Sequence, residues 1–597
     1  MNSSDQKIRK IVESYFDQEL HPRLLDQLET QVLKGGEWLF REGDAGDSLY
    51  FLVRGRMQVW AGVDSPDPER KPHLLGEVVP GDSVGEVGLI SDKPRMAGIQ
   101  AIRDSLLIRI GRTGFQNLAE QHPALLMKLT TNVGNLLQSR TSAPVSRSLK
   151  TITLLPLTQN ESISGYCDEF SKELCTDSSV LVVSPDRLSE LNAPVKQLAH
   201  DANVPDGLRH WLSDQEDEND FVLYRCSPGD SPWTRFAIRQ SDIVLMVADS
   251  GDDPAAVLWE PEENTAGVAS AGRKALILLQ NDRLNISNTR CWLEGRQLNF
   301  HLHMEKGRKQ DVQRAVRVVT GKATGLVIGG GAARGLAALG VFKALVEAGI
   351  DIDWVGGTSI GSIMAGEVAA GLDPDQAIES SRLSFKTGKP FGDFTFPVIS
   401  LLRGNRMKRL LYQYLDYQIE DLALPYFCVS TNLGRGIKNI HEEGSLVNAI
   451  RASAAMPGVL PPAVVNGELA VDGAVLNNLP VDIMRQKAVG RIIAIDFSAP
   501  VPSKVDYEET PSPWAILRGR WLPFSRRYRV PGLSSIILKS TEAGTQEQVR
   551  RNGAMADFLI DPQVRRFGMT DVKSFDHIVQ AGYDRARELL KNWPSRT

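Results

Sequence analysis

A serine set between two glycines, Gly357-Thr358-Ser359-Ile360-Gly361, follows the apolar pair Trp354-Val355 and leads into a helix-forming run, Ser362 to Ala370. A strand that turns straight into a helix crowds the turning residue; glycines on either side relieve the crowding and leave the serine hydroxyl standing out. The pattern predicts an elbow that presents Ser359 as a nucleophile, with Gly357 and Gly361 permitting the turn. Its bland reading is a small residue in a tight turn. Two further glycine-bearing segments decide between them.

Upstream, Leu326-Val327-Ile328 reads as a strand and is followed by Gly329-Gly330-Gly331-Ala332-Ala333-Arg334-Gly335, after which Leu336 to Ala348 reads as a helix that Gly349 can cap. The first N–H groups of a helix lack intrahelical partners, and small residues let an anion approach them. The run is therefore expected to form an oxyanion hole. A dinucleotide fingerprint is the alternative, but the spacing is G-x-G-x-x-x-G. Downstream, Asp472-Gly473-Ala474 follows the strand-like Leu469-Ala470-Val471. A serine hydroxyl needs a base. Beyond Ser359 the histidines are His441 and His577, neither in a glycine-rich turn, whereas Asp472 occupies one. An Asp-Gly step is also an ordinary turn former.

These three motifs, their order, and Asn477-Asn478-Leu479-Pro480 after the aspartate resemble the patatin-like phospholipases. The resemblance implies an α/β hydrolase domain with a Ser–Asp dyad: Ser359 attacks an ester carbonyl and Asp472 takes its proton. The amides around Gly330, Gly331 and Ala332 would hold the oxyanion, and Arg334 would stabilise it or a lipid phosphate. Such a dyad needs no metal, and no catalytic cofactor is expected. One rival stays open, since Ser359, Asp472 and His577 fall in the chain order of an α/β-hydrolase triad. His577, in Phe575-Asp576-His577-Ile578, reads more simply as part of a C-terminal helix.

A chain of 597 residues is too long for one core. Its net charge of -5 argues against nucleic acid as a general partner. Five scattered cysteines without C-x-x-C pairs fit reduced thiols and no zinc site. No apolar run follows Met1 to Lys7 and no stretch of spanning length is free of charge, so the expectation is a cytoplasmic protein whose membrane contact is peripheral.

The first ~140 residues carry short β-like runs punctuated by glycine turns, as an all-β roll requires. Within them, Gly81-Asp82-Ser83-Val84-Gly85-Glu86-Val87-Gly88-Leu89-Ile90 and Pro94-Arg95-Met96-Ala97 resemble the phosphate-binding cassette of cyclic-nucleotide-binding domains. That resemblance implies a site of Gly85, Glu86, Arg95, Met96 and Ala97 for cyclic AMP or cyclic GMP, with Glu86 on the ribose 2′-hydroxyl and Arg95 on the phosphate. Met96 departs from the small residue or threonine usual there, and a surface ion pair is the alternative reading of Glu86 and Arg95. A helical stretch, Phe115 to Gln138, follows.

Between Leu149 and Lys322, the apolar runs Val180-Val183, Phe221-Tyr224, Ile243-Val247 and Ala275-Leu279 read as buried parallel strands of a Rossmann-like α/β layer. Its first turn, Pro156 to Asn160, lacks G-x-x-x-x-G-K-[ST], so no competent phosphate site is expected, and Asp214 to Glu218 reads as a solvated loop. With Ser231-Pro232-Trp233-Thr234 and Arg239-Gln240-Ser241-Asp242, the order of segments resembles bacterial relatives of neuropathy target esterase. The expected organisation is multidomain α/β: a cyclic-nucleotide-binding roll at 1–140, a Rossmann-like domain at 141–320, a patatin-like hydrolase core at 321–500 and its C-terminal part at 501–597. In that part, Trp514 to Arg529 interleaves five arginines with four aromatics, suited either to anionic headgroups or to a packed loop, with prolines at 511, 513, 523 and 531 set against a regular helix. The implied activity is hydrolysis of phospholipid or lysophospholipid esters. The alternative is a nucleotide-responsive lipid-binding protein without turnover.

Overall fold

The computed structural model describes residues 29–63, 72–91, 93–121, 149–188, 206–260, 273–497, 507–521, 533–569, 571–591 and 593. The chain divides into two compact units, Met1–Arg283 with Thr289–Gly321, and Leu284–Asn288 with Lys322–Thr597.

In the first unit, short strands separated by glycine turns form two four-stranded antiparallel sheets. One runs Glu29–Leu33, Ser105–Gly111, Ser48–Arg54, Ser83–Val84, and the other Trp38–Phe40, Gly98–Ala101, Met57–Ala61, His73–Val78. Leu52, Met57, Ile99 and Leu107 pack between them. The expected helix after the roll is seen over Arg112–Gln121, and 122–138 lies outside the described residues.

The following segment builds a six-stranded parallel sheet in the order Val180–Val183, Phe221–Arg225, Thr151–Pro156, Ile243–Asp249, Arg273–Gln280, Phe300–Glu305. All four expected strands are present. Thr151–Pro156 and Phe300–Glu305 were not anticipated, and the first hides its burial behind hydroxyls: Thr153 Oγ1 lies 2.5 Å from Ser241 Oγ, and Thr151 Oγ1 accepts the Asp242 N–H at 2.9 Å. In chain order the sheet reads 2-3-1-4-5-6, exchanging the second and third strands of the dinucleotide-binding order.

Asp214 to Glu218 belongs to the helix Asp206–Glu218, and Glu216 is ion-paired with Arg103 of the roll at 2.9 Å. A partner cation fixes this carboxylate where a solvated loop was expected.

The two quoted tetrapeptides are the two ends of the helix Pro232–Gln240. Ser231 caps it by accepting the Thr234 N–H at 3.0 Å, with Pro232 in its first turn and Trp233 Nε1 donating to the Arg225 carbonyl at 2.8 Å. At the other end, the fully buried Asp242 accepts the Lys150 and Thr151 N–H groups at 2.7 and 3.2 Å. Its second oxygen faces Arg103 Nε at 3.1 Å and Arg56 Nε at 3.4 Å, in ion-pair contact though out of hydrogen-bond alignment. Burial alone would lower the Arg103 pKa, but Asp242 and Glu216 hold it above its ordinary value. The roll is thus fixed to the α/β sheet by buried charge, with Gln240 Nε2 donating to Asp104 Oδ2 at 2.8 Å beside it.

The second unit holds an eight-stranded mixed sheet. Tyr426–Asn432, Trp354–Thr358, Thr324–Ile328, Arg491–Ile495 and Phe558–Ile560 are parallel neighbours in that order, with Glu468–Asp472, Ala463–Val465 and Ile437–His441 antiparallel at one side. Helices Ala337–Glu347, Ile360–Ala369 and Phe575–Leu590 contribute to a core around Leu326, Val355, Met364 and Ile493. The prolines at 511 and 513 do not prevent a helix: Pro513–Trp521 is helical with proline in its first position, where the missing N–H costs nothing. The rest of the basic-aromatic stretch, 522–529, lies outside the described residues. Among the described residues no helix is long and apolar enough to cross a membrane.

Removing one member of a buried ion pair strands the other, at a cost of about 3–5 kcal/mol. Arg103→Ala and Asp242→Ala should each lower the unfolding free energy of the full chain by an amount of that order. The double variant should lose less than the sum, with a coupling of about 1–3 kcal/mol in denaturant titrations. Additive losses would remove the pair from this account.

Candidate functional site

The elbow is built as its glycines require. The buried strand Trp354–Thr358 ends at Ser359, whose φ of 57° and ψ of -125° place a non-glycine residue in left-handed backbone, and the helix Ile360–Ala369 begins at once. A Cβ at Gly361 would collide with the Ile328 carbonyl oxygen, and one at Gly357 with that of Gly361. Such a turn is tolerated where surrounding bonds over-determine it. Here the Ser359 N–H donates to Ser453 Oγ at 2.9 Å, and its carbonyl accepts the Ser362 N–H at 2.9 Å.

The buried Ser359 hydroxyl donates to Asp472 Oδ2 at 2.7 Å. Asp472 closes the strand Glu468–Asp472 opposite Ser430, and its N–H donates to the Ala455 carbonyl at 2.9 Å. Its other oxygen accepts the Ala474 N–H at 2.8 Å. Burial pushes the carboxyl up to about 6, against the pull of the Ala474 amide and the serine hydroxyl. A carboxylate of that basicity is ionised at neutral pH and accepts a proton more readily than a solvated one.

Neither histidine joins this pair. His441, on Ile437–His441, has Nε2 2.8 Å from Ser430 Oγ, and burial lowers its pKa to about 4. His577 is exposed on the helix Phe575–Leu590, as its sequence suggested. The triad reading is not assembled.

The glycine run lies against the elbow, with two corrections. The Gly330 N–H is committed to the Asn478 carbonyl at 3.1 Å, and Asn478 Nδ2 returns a bond to the Gly330 carbonyl at 3.3 Å. Gly330 therefore serves by close approach: a Cβ there would strike Asn478 Oδ1 and come 3.3 Å from Ser359 Cβ. Arg334 is committed elsewhere, with Nε donating to the Phe567 carbonyl at 2.9 Å and Nη2 to the Arg565 carbonyl at 3.4 Å. The guanidinium is thus engaged by two peptide carbonyls. Among the described residues neither the Gly331 nor the Ala332 N–H has a backbone acceptor, and Ala332 takes a left-handed φ of 49°.

The asparagine pair that accompanied the aspartate motif holds these parts together. The Asn477 carbonyl accepts from Thr358 Oγ1 at 3.0 Å, while Asn552 Nδ2 donates to Asn477 Oδ1 at 3.1 Å and to the Leu479 carbonyl at 2.8 Å. Ser453 and Asn552 were not anticipated. Ser453 sits in Ala452-Ser453-Ala454-Ala455, where only the run of small residues hinted at close packing.

In the roll, Gly85, Glu86 and Arg95 come together. Arg95 is buried, its Nη1 and Nη2 donating to the Gly85 and Ser48 carbonyls at 2.8 Å each, with the guanidinium 4.1 Å over the Phe40 ring. Glu86 is buried too; burial raises its pKa, and its Oε2 has no hydrogen-bond partner. The two do not form a surface ion pair. Met96 is exposed and Ala97 half-buried.

In the α/β sheet, the turn after Thr151–Pro156 meets carboxylates where a nucleotide phosphate would bind. Thr158 Oγ1 donates to Asp252 Oδ2 at 2.5 Å, Asn160 Nδ2 to Asp252 Oδ1 at 3.1 Å, and Lys306 pairs with the buried Asp249 at 2.6 Å. Two acids beside one lysine repel a phosphate. Among the described residues no group of three or more histidines, cysteines and acids is placed to hold a metal.

Residues 326–485 match the family model "Patatin-like phospholipase", 148–324 the "Neuropathy Target Esterase family P-loop like domain", and 30–122 the "Cyclic nucleotide-binding domain". Among curated relatives, Patatin-like phospholipase domain-containing protein 6 of Pongo abelii is 29% identical over 95% of this chain and 45% of its own length. Neuropathy target esterase sws of Drosophila melanogaster is 29% identical over 93% and 42%. Lysophospholipase NTE1 of Candida albicans is 27% identical over 95% and 47%. The chain thus spans about half the length of the curated relatives it matches. It carries a patatin-like phospholipase domain behind a cyclic nucleotide-binding domain and a neuropathy target esterase family P-loop like domain.

Proposed function

We propose that this chain is a serine esterase hydrolysing acyl esters of lysophospholipids and phospholipids, with Ser359 as nucleophile and Asp472 as base. The observation that carries the reading is the buried 2.7 Å bond from a strained elbow serine to a carboxylate whose basicity burial has raised. Ser359 Oγ attacks the ester carbonyl carbon as its proton passes to Asp472 Oδ2. The oxyanion forms beside the Gly331 and Ala332 amides, which preorganised dipoles stabilise best where water is excluded. Collapse of the tetrahedral intermediate expels the glycerol alkoxide, which takes the proton from Asp472. Water, deprotonated by the same carboxylate, then releases the fatty acid and restores the serine. Lipid binding without turnover would leave this pair without a task. Action on membrane lipid from the cytoplasmic side fits five cysteines that are all free thiols.

Ser359→Ala and Asp472→Asn should each lower fatty-acid release from lysophosphatidylcholine by on the order of 10⁴-fold. Equal release by wild type and Ser359→Ala would refute the nucleophile. Since the base must be ionised, kcat/KM should rise with pH through a midpoint near 6 and then level. A flat profile from pH 5 to 8 would overturn the base.

The same shift fixes a sign for stability. A carboxyl whose folded pKa is raised favours the fold while protonated, and that contribution is lost as pH rises through about 6. Asp472→Asn, which keeps an acceptor for the Ala474 N–H, should therefore melt above wild type at pH 8 and close to it at pH 4. A lower melting temperature at pH 8 would contradict the cost assigned to burial.

The roll would take a cyclic nucleotide as a regulatory ligand. Supporting it, Glu86 Oε2 is a buried acceptor that a ribose hydroxyl would satisfy, and Arg95 lies beside Gly85 at the start of the short helix Glu86–Ser91. Calorimetry of the full chain should show binding of cyclic AMP or cyclic GMP, weakened at least tenfold in Glu86→Gln and Arg95→Ala. No heat with either nucleotide in wild type would remove the regulatory reading.

A further inference from the structure

The second unit exposes a compact apolar tip that the chemistry at Ser359 does not use. Phe394, Phe396, Val398 and Ile399 are 74%, 85%, 79% and 70% exposed, all within a segment of six residues. Large apolar side chains so grouped on a surface mark an interaction site.

The tip is built on a fixed base. Phe394 and Leu402 form an antiparallel bridge, the Thr395 N–H donates to the Leu401 carbonyl at 3.0 Å, and the Arg403 N–H to the Asp393 carbonyl at 2.9 Å. The Leu401 and Leu402 N–H groups bond the Gly458 and Val459 carbonyls at 2.9 Å each. Those residues follow closely on Ser453, which holds the Ser359 N–H, and on Ala455, which holds that of Asp472. The loop and the reacting pair therefore share one short stretch of chain.

Charge and shape both specify the occupant. Between 382 and 409 Asp393 is the sole acid, while Lys389, Arg403, Arg406, Lys408 and Arg409 are all exposed, against a chain that is net negative. An apolar tip flanked in sequence by exposed cations suits the interface of a bilayer that carries anionic headgroups. The residues that flank the tip in sequence, Pro390 and Met407, line a mainly apolar cavity with Phe385 and Leu411 and with Ile363 and Glu367 of the helix that starts beside Ser359. Glu367 is buried, its carboxyl pushed up to about 8 and bonded by Ser381 Oγ at 2.7 Å, so a neutral acid lines this wall.

We propose that the loop spanning 394–399 inserts into anionic phospholipid bilayers, its flanking cations docking on the headgroups. This rests on the esterase reading for its purpose, but the docking itself does not need turnover. It places membrane contact on a loop other than the basic-aromatic stretch that composition singled out.

The test uses the full chain. Vesicles of phosphatidylcholine with and without one-quarter phosphatidylglycerol are sedimented with Ser359→Ala, alone and combined with Phe396→Asp and Ile399→Asp. The expected result is binding that prefers the anionic vesicles and falls at least tenfold in the tip variant. In a third protein, Arg403→Gln with Arg406→Gln, the preference for anionic vesicles should shrink. Undiminished binding by the tip variant overturns the proposal. So does a self-association in sedimentation velocity that the tip variant abolishes while vesicle binding persists. A Phe396→Trp protein guards against misfolding: brominated acyl chains should quench it more than the parent, and equal quenching overturns insertion. The two readings separate on a soluble short-chain ester. Phe396→Asp with Ile399→Asp, placed on wild type, should turn it over normally while losing hydrolysis of lipid in vesicles. Loss of soluble-ester turnover in wild type itself would sink the esterase and leave the vesicle result standing.

Discussion

The second unit is organised around a carboxylate kept out of water. Raising Asp472 from the usual carboxylate range to about 6 corresponds to roughly 3 kcal/mol against its ionised form, and a buried charge survives only where donors face it. Two do: the Ala474 N–H, aligned by the turn after the strand, and the Ser359 hydroxyl. The serine is thus a structural ligand of the aspartate as well as its chemical partner. That dual role explains why the elbow accepts a left-handed non-glycine residue.

Holding the two within 2.7 Å requires backbone to approach backbone at several points. Ser359 and Asp472 stand on strands separated by Tyr426–Asn432, so their separation is set by sheet spacing rather than by a flexible loop. Ser430 stands between them in register, buried and bonded to His441. A histidine is therefore close to the site, yet its hydrogen bond is spent on Ser430 and its burial keeps it neutral. The chain could have been misread as a histidine-dependent hydrolase on proximity alone.

Much of this was legible because close approach leaves a mark in sequence. Gly357, Gly361 and Gly330 are each forced by a neighbouring atom, so the motif and the geometry are the same fact seen twice. Side chains that act through one hydrogen bond leave no such mark. Ser453 is one serine among alanines, and Arg334 looked catalytic because a cation in a glycine loop invites an anion; nothing in the sequence revealed the Phe567 carbonyl 2.9 Å away. Gly330 failed in the same way, as its amide was claimed by Asn478, which lies far along the chain. The acidic run ending in Glu218 looked solvated because its partner, Arg103, is supplied by a different fold layer. Composition reads solvation correctly only when no distant charge answers it.

The α/β sheet of the first unit differs from the dinucleotide-binding order by the exchange of two strands, and it carries no glycine-rich phosphate cradle at its first turn. Helix N-termini at the ends of parallel strands attract anions, and the helix Glu161–Leu174 begins at such a place, capped by Asn160 accepting the Ser162 N–H at 2.9 Å. A glutamate opens that helix, and Asp249 and Asp252 face it, so carboxylates of the chain itself take the position a phosphate would occupy. At the opposite end of the strands, Asp242 meets Arg56 and Arg103 of the roll. Buried charge at that end joins the sheet to the roll, while the carboxylates at the other end oppose an added anion.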